Sequence, residues 1–547
     1  MNLAYKFILL GSLLVVSAPS ALPAQERRML RRGEVLDTVL SAGASHEYAL
    51  PLRSGESAFV TVLQNGVDVI VEVRDARDSV LFSVDSPNGR SGDEPVEIVA
   101  ERAQRYILRV RPFDPREPAG RYRLTVNALR TRAQTRQLLG ARKLARDSAT
   151  SWLVRHGSAV PAIDQIPTLA LLPSLDDLAR RARVLGLGEA THGSRELNDA
   201  RFAITRRLVE QHGYRLIAIE ASALRLSERS SIDAGWIGRR IQRELVDWVR
   251  AYNAAHPDDS VRVAGVDAQD FATALPAARS FISKAYGSAL TARWDTIARE
   301  LAAADSQAAV FGNSRVDRGV RDALFELVGL LQLDRALLVQ RFGAEAVEAI
   351  AAIEYFTQFA DYNSGTRSPA SHGRDWYMAA NLLKQLQARG PNARAVLWQH
   401  NAHAAKSAGR TTGGFLDEVL GCGYAAIALT FGRGAFVAQI PNDQQDRLAV
   451  SSLPDGPDES IEGVLAAAGD ALRLAAWPCD VQRATLPRWL QIPQRMHWVG
   501  ALFTPGTPAW MAFQPFDLVG QFDGILYIPA VTAEDVYLDR PTIPRRP

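Results

Sequence analysis

Titratable side chains follow four short apolar runs of this sequence, and their types suit acid–base chemistry. The runs are "VLGLG", "LIAI", "VAGV" and "AVLWQ", each with the length and composition of a buried strand. The acids and imidazoles that follow them are Glu189, His192, Glu220, Asp267, His400 and His403. Because open α/β sheets bind ligands at the carboxyl ends of their strands, we expect these side chains to meet at one edge of a sheet.

Two pairs of these residues have a spacing that favours a catalytic role over a purely structural one. Glu189 stands three residues before His192, where a carboxylate can orient an imidazole and raise its basicity. His400 and His403 share one face of a helical turn. Two histidines and a carboxylate also make a usual open zinc site, although the HExxH motif is missing and a metal would need ligands from distant segments.

Several other chemistries lack their motifs in this sequence. There is no GxSxG segment for a serine nucleophile, and neither a phosphate-binding P-loop nor GxGxxG occurs. The net charge is only +3 over 547 residues, without a long basic run, so we expect no nucleic-acid partner. No motif indicates a partner protein.

The elements that must position these residues change in character along the chain. Residues 30–130 alternate apolar and polar positions between frequent turns, which predicts a small antiparallel β-sandwich that we expect to be accessory. A charged, helix-prone segment over 131–160 predicts a linking helix. Strand and helix patterns then alternate over 161–547, with a helical insert at about 272–356. This alternation predicts an α/β fold with a mostly parallel sheet flanked by helices.

The segment after His192 predicts a helix in some detail. In "SRELNDARFAITRRLVEQHG", Leu197, Ala200, Ile204 and Leu208 fall on one face. Gly213 stands where a glycine commonly ends a helix.

The first residues and the two cysteines give information about the cellular compartment of the protein. Residues 1–24 contain Lys6, an apolar run and small residues, the layout of a signal peptide with a run too short to span a bilayer. We therefore expect an exported protein, periplasmic or secreted, without stable membrane insertion. Cys422 and Cys479 could pair in an oxidising compartment, but two separate buried thiols fit the sequence equally well.

Seven stretches together resemble the erythromycin esterase family. They are "GLGEATHGSRE", "LIAIEAS", "ELVDWVRAYN", "VAGVDAQDF", "GRDWYMAANLL", "VLWQHNAHAAK" and "FDGILYIP", in the order of that family, from about Pro167 onwards. The strand spacing and "Y-x-L-x-V" endings of the first region loosely resemble the pre-peptidase C-terminal type of β-sandwich.

The family resemblance implies hydrolysis of a small-molecule ester or lactone by a histidine-activated water, without metal, cofactor or covalent serine intermediate. It also implies a possible link to antibiotic resistance, because the family includes macrolide-lactone hydrolases.

The resemblance further implies roles for individual residues. His192 is the expected general base, and Glu189 is its acidic companion. The paired histidines His400 and His403 are expected on the opposite side of the cleft, with Arg201 as a cleft arginine. Arg374, in a matching stretch, is a further candidate for the cleft arginine. From their positions at strand ends, and not from the resemblance, Glu220 and Asp267 are expected to support or bind substrate.

Two other functions remain compatible with the sequence. The same histidines and glutamate could serve a metal-dependent hydrolase. Alternatively, the chain could be a non-catalytic envelope binding protein in which the sandwich does the work.

Overall fold

A computed structural model describes residues 27–84, 90–113, 117–224, 239–269, 271–311, 315–364, 373–440, 448–503, 505 and 512–535. The segment predicted as a signal peptide, 1–24, lies outside the described residues. The chain divides into two compact units, Met1–Gly140 and Ala141–Pro547.

The first unit contains two β-sheets around one apolar core. Alternation produces this arrangement, since inward positions such as Val60, Val62 and Leu124 are fully buried between more exposed neighbours. The strand orders are β1-β3-β8-β5-β6 and β2-β9-β4-β7, and all pairs are antiparallel except β1 with β3. The strands are β1 (Arg28–Met29), β2 (Val35–Leu40), β3 (His46–Leu52), β4 (Ser57–Asn65), β5 (Val69–Arg74), β6 (Val80–Val84), β7 (Ser91–Val99), β8 (Gln104–Pro112) and β9 (Gly120–Arg130).

Helix α1, Arg132–Arg155, covers most of the segment predicted as a linking helix, and the boundary at Gly140 falls within it. Its second half belongs to the second unit, where Trp152 and Leu153 are buried in an apolar core.

The second unit is built on a nine-stranded sheet in the order β10-β17-β20-β15-β11-β14-β12-β13, with β16 paired to β15. All pairs from β20 to β13 along this order are parallel, whereas β10, β16 and β17 pair antiparallel. The strands are β10 (Gly157–Ala159), β11 (Val184–Leu187), β12 (Leu216–Ser222), β13 (Arg262–Asp267), β14 (Ala395–Trp398), β15 (Tyr424–Gln439), β16 (Leu448–Leu453), β17 (Arg473–Ala476) and β20 (Gly524–Val531). A separate hairpin pairs β18 (Gln494–His497) with β19 (Phe513–Phe516).

Helices cover both faces of this sheet. Successive strand residues enter different cores: Leu185 and Leu187 pack on one side, and Val184 packs on the other. The α/β fold with a mostly parallel sheet is therefore confirmed. The helices are α2 (Pro173–Arg181), α3 (Arg195–His212), α4 (Arg239–Ala255), α5 (Leu275–Tyr286), α6 (Ser288–Phe311), α7 (Arg318–Leu333), α8 (Arg335–Phe342), α9 (Ala344–Asn363), α10 (Arg374–Ala388), α11 (Asn401–Ala404), α12 (Thr412–Leu420), α13 (Ile461–Ala466) and α14 (Leu518–Gln521).

Helices α5 to α9 form a core of their own. Phe281, Trp294 and Phe356 are almost completely buried within it. These helices occupy the stretch in which the sequence predicts a helical insert.

Cys422 and Cys479 form a disulfide that links the end of α12 to the segment after β17. Within the described part of the chain, no helix is both long and apolar enough to cross a membrane.

Candidate active site

The carboxyl ends of four neighbouring parallel strands lie side by side. In the register of the sheet, Leu187 of β11 pairs with Trp398 of β14, which pairs with Ile219 of β12. Ile219 pairs in turn with Gly265 of β13. One or two residues after each of these paired positions stands a site residue named from the sequence. These residues are Glu189, His400, Glu220 and Asp267. The sheet therefore brings all four sequence stretches to one edge.

The loop between β11 and α3 needs its glycines for close packing. A Cβ atom on Gly188 would lie 2.1 Å from Oδ1 of Asn401, and one on Gly193 would lie 1.8 Å from the carbonyl oxygen of Val437. Neither glycine has a positive φ, so close approach, not a left-handed turn, accounts for them. Ser194 then caps α3, which carries Arg201.

Glu189 bridges His192 and Arg201. Its Oε1 lies 2.6 Å from Nδ1 of His192, and its Oε2 lies 2.7 Å from Nη2 of Arg201. The carboxylate is buried, and the guanidinium stacks over the ring of Trp398 at 4.9 Å. The acid thus holds the imidazole while the arginine balances its charge.

Burial disfavours the charged form of His192, but the Glu189 carboxylate outweighs this effect and raises the pKa of the imidazole. Glu220 adds to the rise, and the Arg201 guanidinium opposes it. The His192 side chain remains 25% exposed, so the ring nitrogen that does not face Glu189 is within reach of a ligand.

Arg374, the first residue of α10, joins the acids at the ends of β12 and β13. Its Nη2 donates to Oδ2 of Asp267 at 2.6 Å and to Oε1 of Glu220 at 3.0 Å. Burial raises the pKa of Glu220, but the nearby His403, Arg374 and His192 reverse this and hold it well below its usual range. Glu220 is thus an ionised centre around which the cationic groups gather.

His403 has a second carboxylate partner that sequence reasoning missed. Its Nδ1 lies 2.8 Å from Oδ1 of Asp375, and its Nε2 lies 3.3 Å from Nη1 of Arg374 and 3.5 Å from Glu220. Burial lowers the pKa of His403, but Glu220 and Asp375 together raise it above its ordinary value. Asp375 directly follows Arg374 in "GRDWYMAANLL", and that adjacency was the available signal.

His400 is held differently, although it belongs to the same turn. Its Nδ1 accepts from the backbone N–H of Ala402 at 3.1 Å, and its Nε2 donates to the carbonyl of Ala190 at 3.2 Å. Burial and two neighbouring histidines lower its pKa to about 3. The ring packs edge-on to Trp498 and lies 5.8 Å from the His192 ring, centroid to centroid. His400 is therefore a neutral group whose two nitrogens are already used.

All eight residues named from the sequence lie in this cluster, and each contacts at least one other member. Over the described ranges, no group of three or more histidine, cysteine or acidic side chains is arranged to hold a metal ion. Both ring nitrogens of His400 and of His403, and Nδ1 of His192, contact protein groups.

Residues 235–531 match the model of the erythromycin esterase family. The chain belongs to this family. The matched range includes Asp267, Arg374, His400 and His403, whereas Glu189, His192, Arg201 and Glu220 precede it. Membership supports a hydrolase that acts on esters.

Solved structures resemble parts of this chain. A Bacillus cereus protein superposes with a TM-score of 0.57 at 19% identity, covering 72% of this chain and 99% of its own. A variant of the erythromycin esterase EreC in its open conformation gives a TM-score of 0.49 at 17% identity over 70% and 100% of the two chains. The pre-peptidase C-terminal domain of a Bacillus anthracis collagenase, at 18% identity and a TM-score of 0.17, covers 20% of this family member and 100% of its own chain. That last resemblance is weak.

Proposed function

We propose that this protein hydrolyses a carboxylic ester or lactone with a water activated by His192, without a covalent serine intermediate. The observation that carries the proposal is the Glu189–His192 pair, in which the 2.6 Å contact occupies Nδ1 of a ring that is still partly exposed. Glu189 fixes the tautomer with the proton on Nδ1, so that Nε2 can accept a proton from water. The carboxylate then stabilises the imidazolium that forms, as in the acid–histidine pairs of other hydrolases.

The tetrahedral intermediate requires a hydrogen-bond donor for its oxyanion. Arg374 and His403 are about a quarter exposed, and Nη1 of Arg374 faces Nε2 of His403 rather than a carboxylate, so an N–H group at this contact can turn to a substrate oxygen. One well-placed donor of this kind is worth about 3 kcal/mol of transition-state stabilisation. When the intermediate collapses, the imidazolium of His192 returns its proton to the leaving alkoxide, giving the acid and the alcohol. His400 keeps the loop in place through its bond to Ala190.

A panel of fluorogenic and chromogenic esters and lactones, assayed with wild type and His192→Ala, tests the proposal. General-base catalysis contributes about 10²–10⁴-fold, so we expect kcat/KM to fall by that amount in the variant. Circular dichroism should show an unchanged fold, because the His192 side chain is partly exposed and is not packed in an apolar core.

His256→Ala is the matched control, since His256 is exposed at the end of α4 in the same unit and bonds only to its own helix. It should hydrolyse the panel like wild type. If His192→Ala retains full turnover, the proposal is wrong. If wild-type turnover requires a stoichiometric metal, as measured by elemental analysis before and after chelation, the metal-dependent alternative replaces it.

We also propose that the protein is exported. The signal-peptide pattern of residues 1–24 supports this, and so does the Cys422–Cys479 bond, because disulfides persist mainly in oxidising compartments. Cell fractionation with N-terminal sequencing of the mature protein tests it. A cytoplasmic product with an intact N-terminus would contradict export.

A further inference from the structure

The chain just after β20 runs along the loop that carries His192. Glu534 donates its backbone N–H to the carbonyl of Gly193 at 2.9 Å, and Thr532 accepts from the N–H of Arg195 at 3.0 Å. A bridge pairs Ser194 with Ala533 between these two contacts. The segment Thr532–Asp535, called the strap below, therefore packs along the loop that carries His192 and is hydrogen-bonded to it.

Glu534 is buried within this strap and has a partner for each oxygen. Its side chain has no exposed surface. Oε1 accepts from Nε of Arg240 at 2.8 Å, and Oε2 accepts from Nδ2 of Asn198 at 2.8 Å. Arg240 also pairs with Asp199 at 2.6 Å, so one guanidinium serves both carboxylates and ties the strap to α3.

Asn198 connects Glu534 to the catalytic pair. Its Nδ2 also donates to the backbone carbonyl of His192 at 3.2 Å, and its Oδ1 accepts from Nη2 of Arg201. Arg201 in turn contacts Glu189, which holds the His192 ring. The carboxamide is fully buried, so no solvent competes for these bonds.

The chemistry of Glu534 determines which way the Asn198 amide points. An ionised carboxylate only accepts hydrogen bonds, so the Asn198 NH2 group must face it. The Asn198 oxygen then faces Arg201, a group that only donates. A rotated amide would set NH2 against the guanidinium and oxygen against the carboxylate, and both contacts would be repulsive.

We propose that Glu534 is a positioning residue for His192 and acts through Asn198 and Arg201; this inference rests on the proposed role of His192 as the base. Glu534 fixes the orientation of the Asn198 amide, and the amide oxygen fixes the position of the Arg201 guanidinium. The guanidinium in turn holds the Glu189 carboxylate, which orients the His192 imidazole. Contact with substrate is not part of this role.

Glu534→Gln tests the inference because glutamine keeps the shape but can donate as well as accept, which permits the Asn198 amide to rotate. A misplaced catalytic group costs up to about 100-fold in rate, so we expect kcat to fall about 10- to 100-fold while KM stays within about twofold. The low-field proton resonance of the His192–Glu189 hydrogen bond, assigned by its absence in His192→Ala, should broaden or shift. This spectroscopic readout needs no substrate.

Glu196→Gln is the matched control, since Glu196 holds the same strap through Thr532 but is not bonded to Asn198. It should keep wild-type kcat and the low-field resonance. Asn198→Ala should reproduce the loss, and the double variant Asn198→Ala with Glu534→Gln should be no worse than Asn198→Ala alone. Asn198→Ala also provides the test if Glu534→Gln fails to fold.

Three results would overturn the inference: equal effects of Glu534→Gln and Glu196→Gln, additive losses in the double variant, or an unchanged resonance in Glu534→Gln. Failure of the proposed function looks different. In that case His192→Ala itself would retain turnover.

Discussion

The loops after β11 and β14 lie next to each other at the edge of the sheet, yet they use histidine in opposite ways. The β11 loop carries one histidine with its own acid three residues earlier, and that acid raises the pKa of His192. The β14 loop carries two histidines and no acid of its own. There, His403 has a raised pKa because Asp375 and Glu220 come from other elements, whereas the two ring nitrogens of His400 bond to a backbone N–H and a backbone carbonyl.

This difference shows that the pKa of a histidine in this site depends on the groups that contact its ring, and not on the sequence motif in which it lies. The ring of His403 contacts the carboxylates of Asp375 and Glu220, whereas Glu220 contacts His400 through the backbone N–H of that residue. The pKa of His400 is lowered to about 3, so its ring is neutral near pH 7. Substitutions of the partner residues test whether they set the protonation of each histidine.

The largest effect should come from Glu189→Gln. Without the carboxylate, the His192 imidazolium loses its stabilisation and the ring its fixed tautomer, so we expect kcat/KM to fall about 100-fold or more. The raised pKa of His192 also determines the direction in which the pH profile should move. The base works when neutral, so its raised pKa puts the acid limb of the wild-type profile above pH 6.5, and the variant's limb should move to lower pH.

The measurement is kcat/KM against pH for wild type and Glu189→Gln. Glu210→Gln, a more exposed acid of α3 that pairs with Arg206, is the control and should leave both the rate and the limb unchanged. An acid limb that stays in place in Glu189→Gln would show that this carboxylate does not set the pKa of the base.

A smaller effect should follow from Asp375→Asn. The amide oxygen can still accept from His403 and from Thr412, so the ring orientation is kept while the charge is lost. Glu220 still faces His403, so we expect only about a 10-fold fall in kcat. If protonated His403 is the useful form, activity declines as pH rises through its raised pKa, and Asp375→Asn should move this alkaline limb to lower pH. A profile identical to wild type would mean that His403 does not titrate during turnover.

The smallest effect on catalysis, seen mainly in stability, should come from His400→Ala. Removing the ring leaves the partly buried N–H of Ala402 without this acceptor, at a cost of about 1 kcal/mol in the free energy of unfolding. Because the folded pKa is about 3 against 6.5 when unfolded, the unfolded chain binds an extra proton between those values, and wild type loses stability as pH falls through that range. The variant should lose this part of the pH dependence.

Urea unfolding at pH 7 and pH 5 measures both quantities. The acid limb of the rate profile should stay where it is in wild type, because His400 does not titrate there. A shifted limb would place His400 among the groups that exchange protons during turnover.

Much of the fold and part of the candidate site could be predicted from the sequence alone. Period-two alternation predicted the sandwich, and alternating strands and helices predicted the parallel sheet. The helix after His192 is confirmed, with Leu197 buried and Gly213 in a left-handed conformation at its end. These features follow from local patterns of burial and backbone preference, which a linear sequence records directly. The acid three residues before His192 is also local, and it was visible for that reason.

Only the tertiary structure decided the partners that lie far apart in the chain. Asp375 is 28 residues from His403, Glu534 is 336 residues from Asn198, and Cys422 is 57 residues from Cys479. No pattern in the sequence distinguishes His400 from His403, because their protonation depends on which carboxylates the sheet edge and α10 bring within hydrogen-bond distance. Electrostatic interactions act through space over a few ångströms, so the charge of each histidine is fixed when the strands and helices pack.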